Sequence, residues 1–174
     1  IFKNTNIKFT KSKFDQIIEL NGLIKLRDDF NSFKIKNKYN SNKKSFDING
    51  IVDLADSTIN ISKLNYSKSY GKESKLNFDV NFILDRHYHI RDLKFLANKT
   101  KIYLSNIKLN KNLEATDFEK LEIKTFLDGT KNNDFLINKS TQIIISGEVF
   151  DAQPLLTSLY KKDNRKIFSK DFDS

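Results

Sequence analysis

The stretch Leu76-Asn77-Phe78-Asp79-Val80-Asn81-Phe82 alternates apolar and polar residues without a break. Successive side chains of a β-strand point to opposite faces, so this alternation predicts a strand with one apolar and one polar face. The same alternation recurs between Phe46 and Val149, most clearly in the segments Phe46-Asp47-Ile48-Asn49, Thr58-Ile59-Asn60-Ile61-Ser62, Leu121-Glu122-Ile123-Lys124 and Gln142-Ile143-Ile144-Ile145. The sequence therefore predicts a sheet whose strands each have one apolar side.

Short polar stretches separate these segments and predict turns. They are Tyr39–Lys44, Asn49-Gly50, Gly71, Asp128-Gly129 and Asn132-Asn133. Counting the apolar segments between them gives about ten strands of ordinary length. Strands that follow one another through short turns are usually antiparallel neighbours, so we predict a mainly β fold, a long antiparallel meander that forms a curved sheet or groove. Residues 1–36 contain only short apolar groups, which fit strand and helix equally well.

One helix is predicted near the C-terminus. Asp151 can cap it, Pro154 is tolerated in its first turn, and Leu155, Leu156, Leu159 and Tyr160 fall on one side. We expect residues 1–160 to form a single β-rich domain, and residues 161–174, which are rich in Lys, Asp and Ser, to form a polar, loosely ordered tail or link. Because the chain begins at Ile1 rather than at a methionine, we interpret it as a segment of a longer protein.

The composition argues against several classes of function. The formal net charge of +9 suggests a nucleic-acid partner, but the lysines alternate with apolar residues, as in Phe33-Lys34-Ile35-Lys36, which places them on the polar faces of strands. We therefore predict no nucleic-acid partner. The chain has no cysteine, so it can form neither a disulfide nor a zinc–thiolate site. No apolar run approaches the roughly 18–20 residues of a membrane-spanning helix.

The only cluster of candidate metal-ligating or acid–base residues is His87, His89, Asp85 and Asp92. Histidines two apart on a strand face the same way, but a metal site needs further ligands, and the chain has no other histidine. There is also no Gly-x-Ser-x-Gly turn and no glycine-rich phosphate loop. We predict no metal, no cofactor and no enzymatic activity.

Two segments resemble a known family. The first, Leu64–Lys72, contains an aromatic-x-Lys-x-x-Gly element, and the second, Ile145–Leu156, contains Gly-x-x-hydrophobic-Asp-Ala-x-Pro-Leu-Leu. Together they are similar to elements of the AsmA-like family, in particular its YhdP-like branch, and the resemblance covers roughly residues 45–160. Ser69 replaces an expected proline and Gln153 replaces a common arginine. The residues that carry the resemblance are Tyr66, Lys68, Gly71, Gly147, Asp151, Ala152, Pro154, Leu155 and Leu156.

The resemblance implies a function and a location. Proteins of this family are anchored in the inner membrane of Gram-negative bacteria and extend through the periplasm as an elongated β-sheet with an apolar groove. They are implicated in moving phospholipids towards the outer membrane and in maintaining its barrier, and they have no known catalytic residues. By this resemblance we expect a phospholipid partner and a periplasmic location, with the inner-membrane anchor outside this segment.

The alternation and the resemblance together suggest which residues line a lipid groove. An acyl chain of about 16 carbons loses on the order of 12 kcal/mol when it enters water, at about 0.8 kcal/mol per methylene, and a continuous apolar surface removes most of that barrier. A second interpretation is a structural or adhesive β-sandwich or solenoid, in which the same residues pack as a dry core. The candidate lining residues are Phe46, Ile48, Ile59, Ile61, Leu76, Phe78, Val80, Phe82, Ile102, Leu104, Leu121, Ile123, Ile143 and Ile145.

Overall fold

The chain folds into one large, open, antiparallel β-sheet. The computed structural model describes residues 1–26, 29–83, 87–110, 112–154 and 156–157. The main path of the sheet runs through ten strands in the order β1-β2-β3-β4-β7-β8-β9-β11-β12-β13, and β10 pairs with β9 beside it. The predicted mainly β fold and antiparallel meander are thus confirmed.

The strands account for most of the described chain, and three of them have only three residues. Among residues 1–36, for which the sequence left strand and helix open, Ile17 and Ile18 lie in the strand β2, and the described residues of this range contain no helix. The strand bounds are β1 (Phe2–Lys11), β2 (Asp15–Leu26), β3 (Asp29–Asn40), β4 (Ser45–Asp53), β5 (Ile59–Ile61), β6 (Tyr66–Lys68), β7 (Lys75–Ile83), β8 (His87–Ala97), β9 (Thr100–Leu109), β10 (Ala115–Asp117), β11 (Lys120–Leu127), β12 (Thr130–Lys139) and β13 (Ile143–Val149).

The strand register aligns apolar side chains into rows across the sheet. Residues directly opposite each other on neighbouring strands point to the same face. One such row crosses all ten strands of the main path, and only Gly50 interrupts its side chains. The row consists of Ile7, Leu20, Ile35, Gly50, Phe78, Leu93, Leu104, Leu121, Ile137 and Ile145. We call the face of the sheet that contains this row the apolar face.

The opposite face of the sheet is polar, and ion pairs between neighbouring strands hold much of its charge. Arg91 contacts Asp47 at 2.8 Å and Asp79 at 2.5 Å. Glu19 lies between Lys8 and Lys36 in the same way. Exposed pairs of this kind each contribute between about 0 and 1 kcal/mol to stability. Their main consequence is that lysines and carboxylates on this face largely neutralise one another.

Two of the predicted turns are wrong. Asn49-Gly50 lies inside β4, where the ring of Phe78 passes so close that a Cβ on Gly50 would meet its Cζ at 2.7 Å. Asn132-Asn133 lies inside β12, where Asn133 is fully buried. Asp128-Gly129 does connect β11 to β12, as the sequence predicts. In both cases, a residue type that is common in turns lies inside a strand, where it contacts a part of the chain that is distant in sequence.

The connection between β4 and β7, residues 54–74, folds back over one end of the apolar face. We call this segment the cap. It contains the two-stranded sheet of β5 and β6 and a single 3-10 turn, Ser62–Leu64. Ile59 and Ile61 belong to the cap, so the expectation that they line the main sheet is wrong. Their alternation is that of a real strand, but this strand pairs with β6.

The predicted C-terminal helix is present only as a helical turn within the described residues. Gln153, Pro154, Leu156 and Thr157 have helical backbone, and the Leu156 N–H donates a hydrogen bond to the Ala152 carbonyl at 2.9 Å. Leu155, Leu159, Tyr160 and the predicted tail, 161–174, lie outside the described residues. In the part of the chain that is described, no helix is long and apolar enough to cross a membrane.

Candidate functional site

The apolar face has a capped part and an open part. Under the cap, Phe95, Ile102 and Ile123 are buried, and the ring of Tyr66 lies across Phe95 with 6.0 Å between ring centroids. Leu54 completes this small core. Towards the opposite ends of the strands, most apolar side chains are only partly buried, although Ile107 on β9 is 5% exposed, and the described part of the chain places no strand or helix over them. The face is therefore a dry core at one end and an accessible apolar surface at the other.

The structure brings twelve of the fourteen candidate lining residues together on the apolar face. Ile102 and Ile123 lie under the cap, whereas Ile143 and Ile145 are exposed on the edge strand β13. The remaining eight lie on β4, β7, β9 and β11: Phe46, Ile48, Leu76, Phe78, Val80, Phe82, Leu104 and Leu121.

Several residues of the apolar face are absent from the sequence-based set. Ile35 follows Phe33 at the two-residue spacing of a strand, so its signal was visible in the sequence. Leu20 and Leu93 lie in strands whose alternation is irregular, and only their pairing with Ile35 and Phe78 reveals their face. Weak alternation is therefore the reason that the sequence underestimates the width of this face.

An aromatic ladder crosses the open part of the apolar face. Tyr39, Phe46, Phe82 and Tyr88 pair directly across β3, β4, β7 and β8. Successive ring centroids are 4.6, 4.6 and 5.9 Å apart. Aromatic contacts of this kind contribute about 0.5–1.5 kcal/mol each beyond the area they bury. The ladder forms a continuous ring surface perpendicular to the strands, at the end of β4 that lies away from the cap.

The two segments that carry the family resemblance meet in space. Asn65 donates from Nδ2 to a carboxylate oxygen of Asp151 at 2.9 Å, and the Asp151 N–H donates to Oδ1 of Asn133 at 3.0 Å. Asn133 in turn donates to the Leu64 carbonyl at 2.9 Å and to Oγ1 of the fully buried Thr125 at 2.9 Å. The bond from Asn65 lowers the pKa of Asp151. We call Asn65, Asn133 and Asp151 the clasp, because they fasten the cap to β12 and to the segment after β13.

Lys68, the lysine of the first motif, is buried with 6% of its surface exposed. Its ammonium donates to the carbonyl oxygens of Ala55 at 3.1 Å, Ser69 at 3.0 Å and Lys72 at 3.0 Å. Burial lowers the pKa of Lys68. An ammonium has three protons to donate, and here three carbonyls accept them, so this lysine joins the two ends of the cap and leaves no proton for a ligand.

The motif glycines also have structural roles. Gly147 lies opposite an irregularity in β12, where a Cβ would approach the Asp134 carbonyl oxygen to 2.4 Å. Gly71 adopts φ +75°, a conformation that other residues rarely adopt. Tyr66 is buried against Phe95, while Ala152, Pro154 and Leu156 belong to the helical turn beside the clasp. The described motif residues therefore shape and attach the cap.

The histidine cluster does not assemble into a metal site within the described residues, where no group of three potential ligands converges. Nε2 of His89 is buried without a hydrogen-bond partner, and Asp92 accepts a hydrogen bond from the Tyr103 hydroxyl at 2.5 Å. Asp85 and the side chain of His87 lie outside the described part of the chain.

Comparison of the chain with protein-family models, with curated proteins and with solved structures finds no match. The resemblance to AsmA-like proteins thus stays a prediction. The candidate site consists of the open apolar face, its aromatic ladder and the clasped cap, and its function has to be argued from this geometry.

Proposed function

We propose that this chain is a lipid-conducting segment of a larger protein. It would hold the acyl chains of phospholipids against the open part of the apolar face and let them move across the strands. In agreement with the sequence resemblance, the larger protein would be anchored in the inner membrane and would carry phospholipids through the periplasm to the outer membrane. The observation that carries the proposal is the apolar row that crosses all ten strands of the main path, on a face of which the described residues cover only one end.

The dimensions of the apolar face suit an acyl chain. From Phe46 to Val52, β4 extends about 20 Å at about 3.3 Å per residue, and about 13 Å of this, from Phe46 to Gly50, precede Val52, which packs against the capped core. One leaflet of a bilayer has a hydrocarbon thickness of about 15 Å, half of the roughly 30 Å core. An acyl chain can therefore lie along the strands on one side of the sheet. Ten strands at about 4.8 Å spacing make a path of about 43 Å in the perpendicular direction.

The polar face supports the same function. Its cross-strand ion pairs keep that side hydrated, so the sheet can expose an apolar surface on one side and remain soluble on the other. An open apolar surface that the described residues leave without cover marks a site of interaction. Conduction of lipid by such a surface requires no catalytic group, because the only barrier is the exposure of the acyl chain to water.

The proposal is tested by mass spectrometry of lipids extracted from the purified chain, with a β-sandwich of known dry core handled in parallel. We expect phospholipid enriched well above the control. A folded, lipid-free protein would instead favour the structural or adhesive interpretation, in which another protein layer covers the apolar face. Fractionation of cells that express the parent protein would test the periplasmic location.

A further inference from the structure

We propose that the rim of the sheet beside the aromatic ladder binds the phosphate of an anionic phospholipid, so that each lipid lies with its headgroup at this rim and its acyl chains towards the cap. The inference rests on the proposed function and adds the orientation and the headgroup class of the lipid. The rim is formed by the turns between β1 and β2 and between β3 and β4. Its lysines, which we call the basic rim, are Lys11, Lys13, Lys43 and Lys44.

The two turns of the basic rim are fastened to each other. The backbone N–H and the hydroxyl of Ser41 both donate to the carbonyl oxygen of Phe14, at 2.8 and 3.0 Å. The Lys43 N–H donates to Oδ1 of Asn40 at 2.9 Å, and Nδ2 of Asn40 donates to Asp15 at 2.6 Å. Lysines from two separate hairpins are therefore held at one edge of the sheet.

No carboxylate of the described residues forms an ion pair with the basic rim, and all four of its lysines are exposed. Asp15 pairs with Lys38 at 2.9 Å, and the charge of Lys43 adds only a smaller lowering of the pKa of Asp15. At the same end of the strands, near β9 and β10, the lysines are neutralised, because Asp117 contacts both Lys108 and Lys139. At this end of the strands, the exposed lysines of the described residues that form no ion pair are those of the basic rim, over β1–β4.

The basic rim adjoins the apolar face at the boundary that a lipid requires. Lys11 lies opposite Gln16, Gln16 opposite Tyr39, and Tyr39 opposite Phe46, so one row passes from a cation to the aromatic ladder. Lysine and tyrosine both favour the boundary between hydrocarbon and water, because each joins an apolar body to a polar tip. At the opposite end of the strands the cap covers the face. The acyl chains therefore extend from the rim towards the cap, and the phosphate stays among the lysines.

The orientation is tested by competition between two headgroups. The chain is incubated with vesicles containing equal amounts of phosphatidylglycerol and phosphatidylcholine, re-isolated, and its bound lipids are quantified by mass spectrometry. We expect phosphatidylglycerol to be enriched by about fivefold or more, the factor associated with one lysine near an anionic lipid. Replacing the basic rim (K11Q, K13Q, K43Q and K44Q together) should remove this enrichment and leave the total bound lipid unchanged.

A matched control removes the same net charge elsewhere. Lys34, Lys63, Lys72 and Lys75 are also exposed but lie on the polar face or in and beside the cap, so K34Q, K63Q, K72Q and K75Q together should keep the enrichment. The inference would be overturned if both variants lost the phosphatidylglycerol enrichment equally, or if the unmodified chain bound lipid without headgroup preference. Either result would leave the proposed function standing. Binding of inorganic phosphate to the rim without any bound lipid would overturn both. Both would also be overturned if the folded chain bound neither phosphatidylglycerol nor phosphatidylcholine and buried its apolar face against a second copy of itself.

Discussion

Asn65 donates a hydrogen bond to Asp151 at 2.9 Å, although 86 residues separate them in the chain. Asn65 precedes β6 in the cap, and Asp151 follows β13 at the edge of the sheet, so this contact closes the cap over the strands between them. Asn133 on β12 bonds to Asp151 and to the carbonyl of Leu64, the residue before Asn65. The position of the cap thus depends on a small polar network as well as on the apolar core beneath it, and this dependence can be measured.

The central amide of the clasp can be tested by replacing Asn133 with leucine. The substitution keeps the branching of the side chain but leaves the Asp151 N–H without its buried acceptor, and the Leu64 carbonyl keeps only the hydrogen bond from Nδ2 of Asn132 at 3.1 Å. An unsatisfied buried polar group costs about 1–3 kcal/mol, so we expect Asn133→Leu to lower the free energy of unfolding by about 2–4 kcal/mol in urea titrations. Asn138→Leu, at an exposed position of the same strand, should change it by about 0.5 kcal/mol or less. Similar losses in the two variants would show that the clasp contributes nothing specific.

The clasp should weaken in acid. The hydrogen bonds from Asn65 and from the Gln153 N–H lower the pKa of Asp151 below its ordinary value of 3.8. A carboxyl group whose folded pKa is depressed stabilises the fold above its unfolded pKa, and this contribution is lost as the pH falls through the folded pKa. We expect the difference in Tm between the unmodified chain and Asp151→Asn to be largest near about pH 6 and to shrink towards about pH 2. A difference that does not change across this range would contradict the role of the ionised carboxylate.

Lys68 should control the local opening of the cap. In Lys68→Met the apolar stem is retained, but three carbonyl oxygens lose their donor, at Ala55, Ser69 and Lys72. We expect faster amide hydrogen exchange within residues 54–74, while exchange in β7 and β8 stays slow, and a loss of about 1–3 kcal/mol in stability. Lys72→Met, whose side chain is exposed, serves as the control and should leave exchange in the cap unchanged. Uniformly faster exchange across the sheet would mean that the cap and the sheet open together.

The sequence predicted the local structure better than the pairing. The alternation of Leu76–Phe82 indicated both the strand and its apolar side, but the same alternation at Ile59 and Ile61 did not reveal that these residues pair only with β6. Asn132-Asn133 was predicted as a turn from its composition. Its hydrogen-bond partners, at residues 64, 65 and 151, are remote in sequence, so no local pattern indicates that it lies inside a strand. The basic rim combines lysines from two hairpins that a hydrogen bond joins, and no spacing in the sequence encodes that bond. Local alternation therefore determined strands and faces, whereas long-range hydrogen bonds determined the cap and the rim.

The open and capped parts of the apolar face should respond differently to a buried charge. Phe78→Asp places a carboxylate where water can reach it, so we expect a folded sheet that no longer retains lipid. Ile123→Asp places the same group under the cap at a site with 4% exposure, where an unpaired charge costs several kcal/mol and should prevent folding. Folding is followed by circular dichroism and lipid by mass spectrometry. Asn77→Asp, next to Phe78 but on the polar face, should change neither. If Phe78→Asp unfolds as readily as Ile123→Asp, the apolar face is closed in solution.

The two outer strands should make the isolated chain associate with itself. Within the described residues, β1 and β13 each have one unpaired edge in the sheet, and both expose large apolar side chains, with Ile7 at 69% and Ile145 at 68%. Unpaired edges of this kind pair readily with other strands, so we expect the sedimentation coefficient to rise with protein concentration. Ile7→Lys combined with Ile145→Lys should keep the chain monomeric, because charged side chains oppose edge pairing. Ile51→Lys changes an equally large exposed side chain in the interior strand β4 and should leave association unchanged. A chain that stays monomeric without these substitutions would show that its edges are already protected.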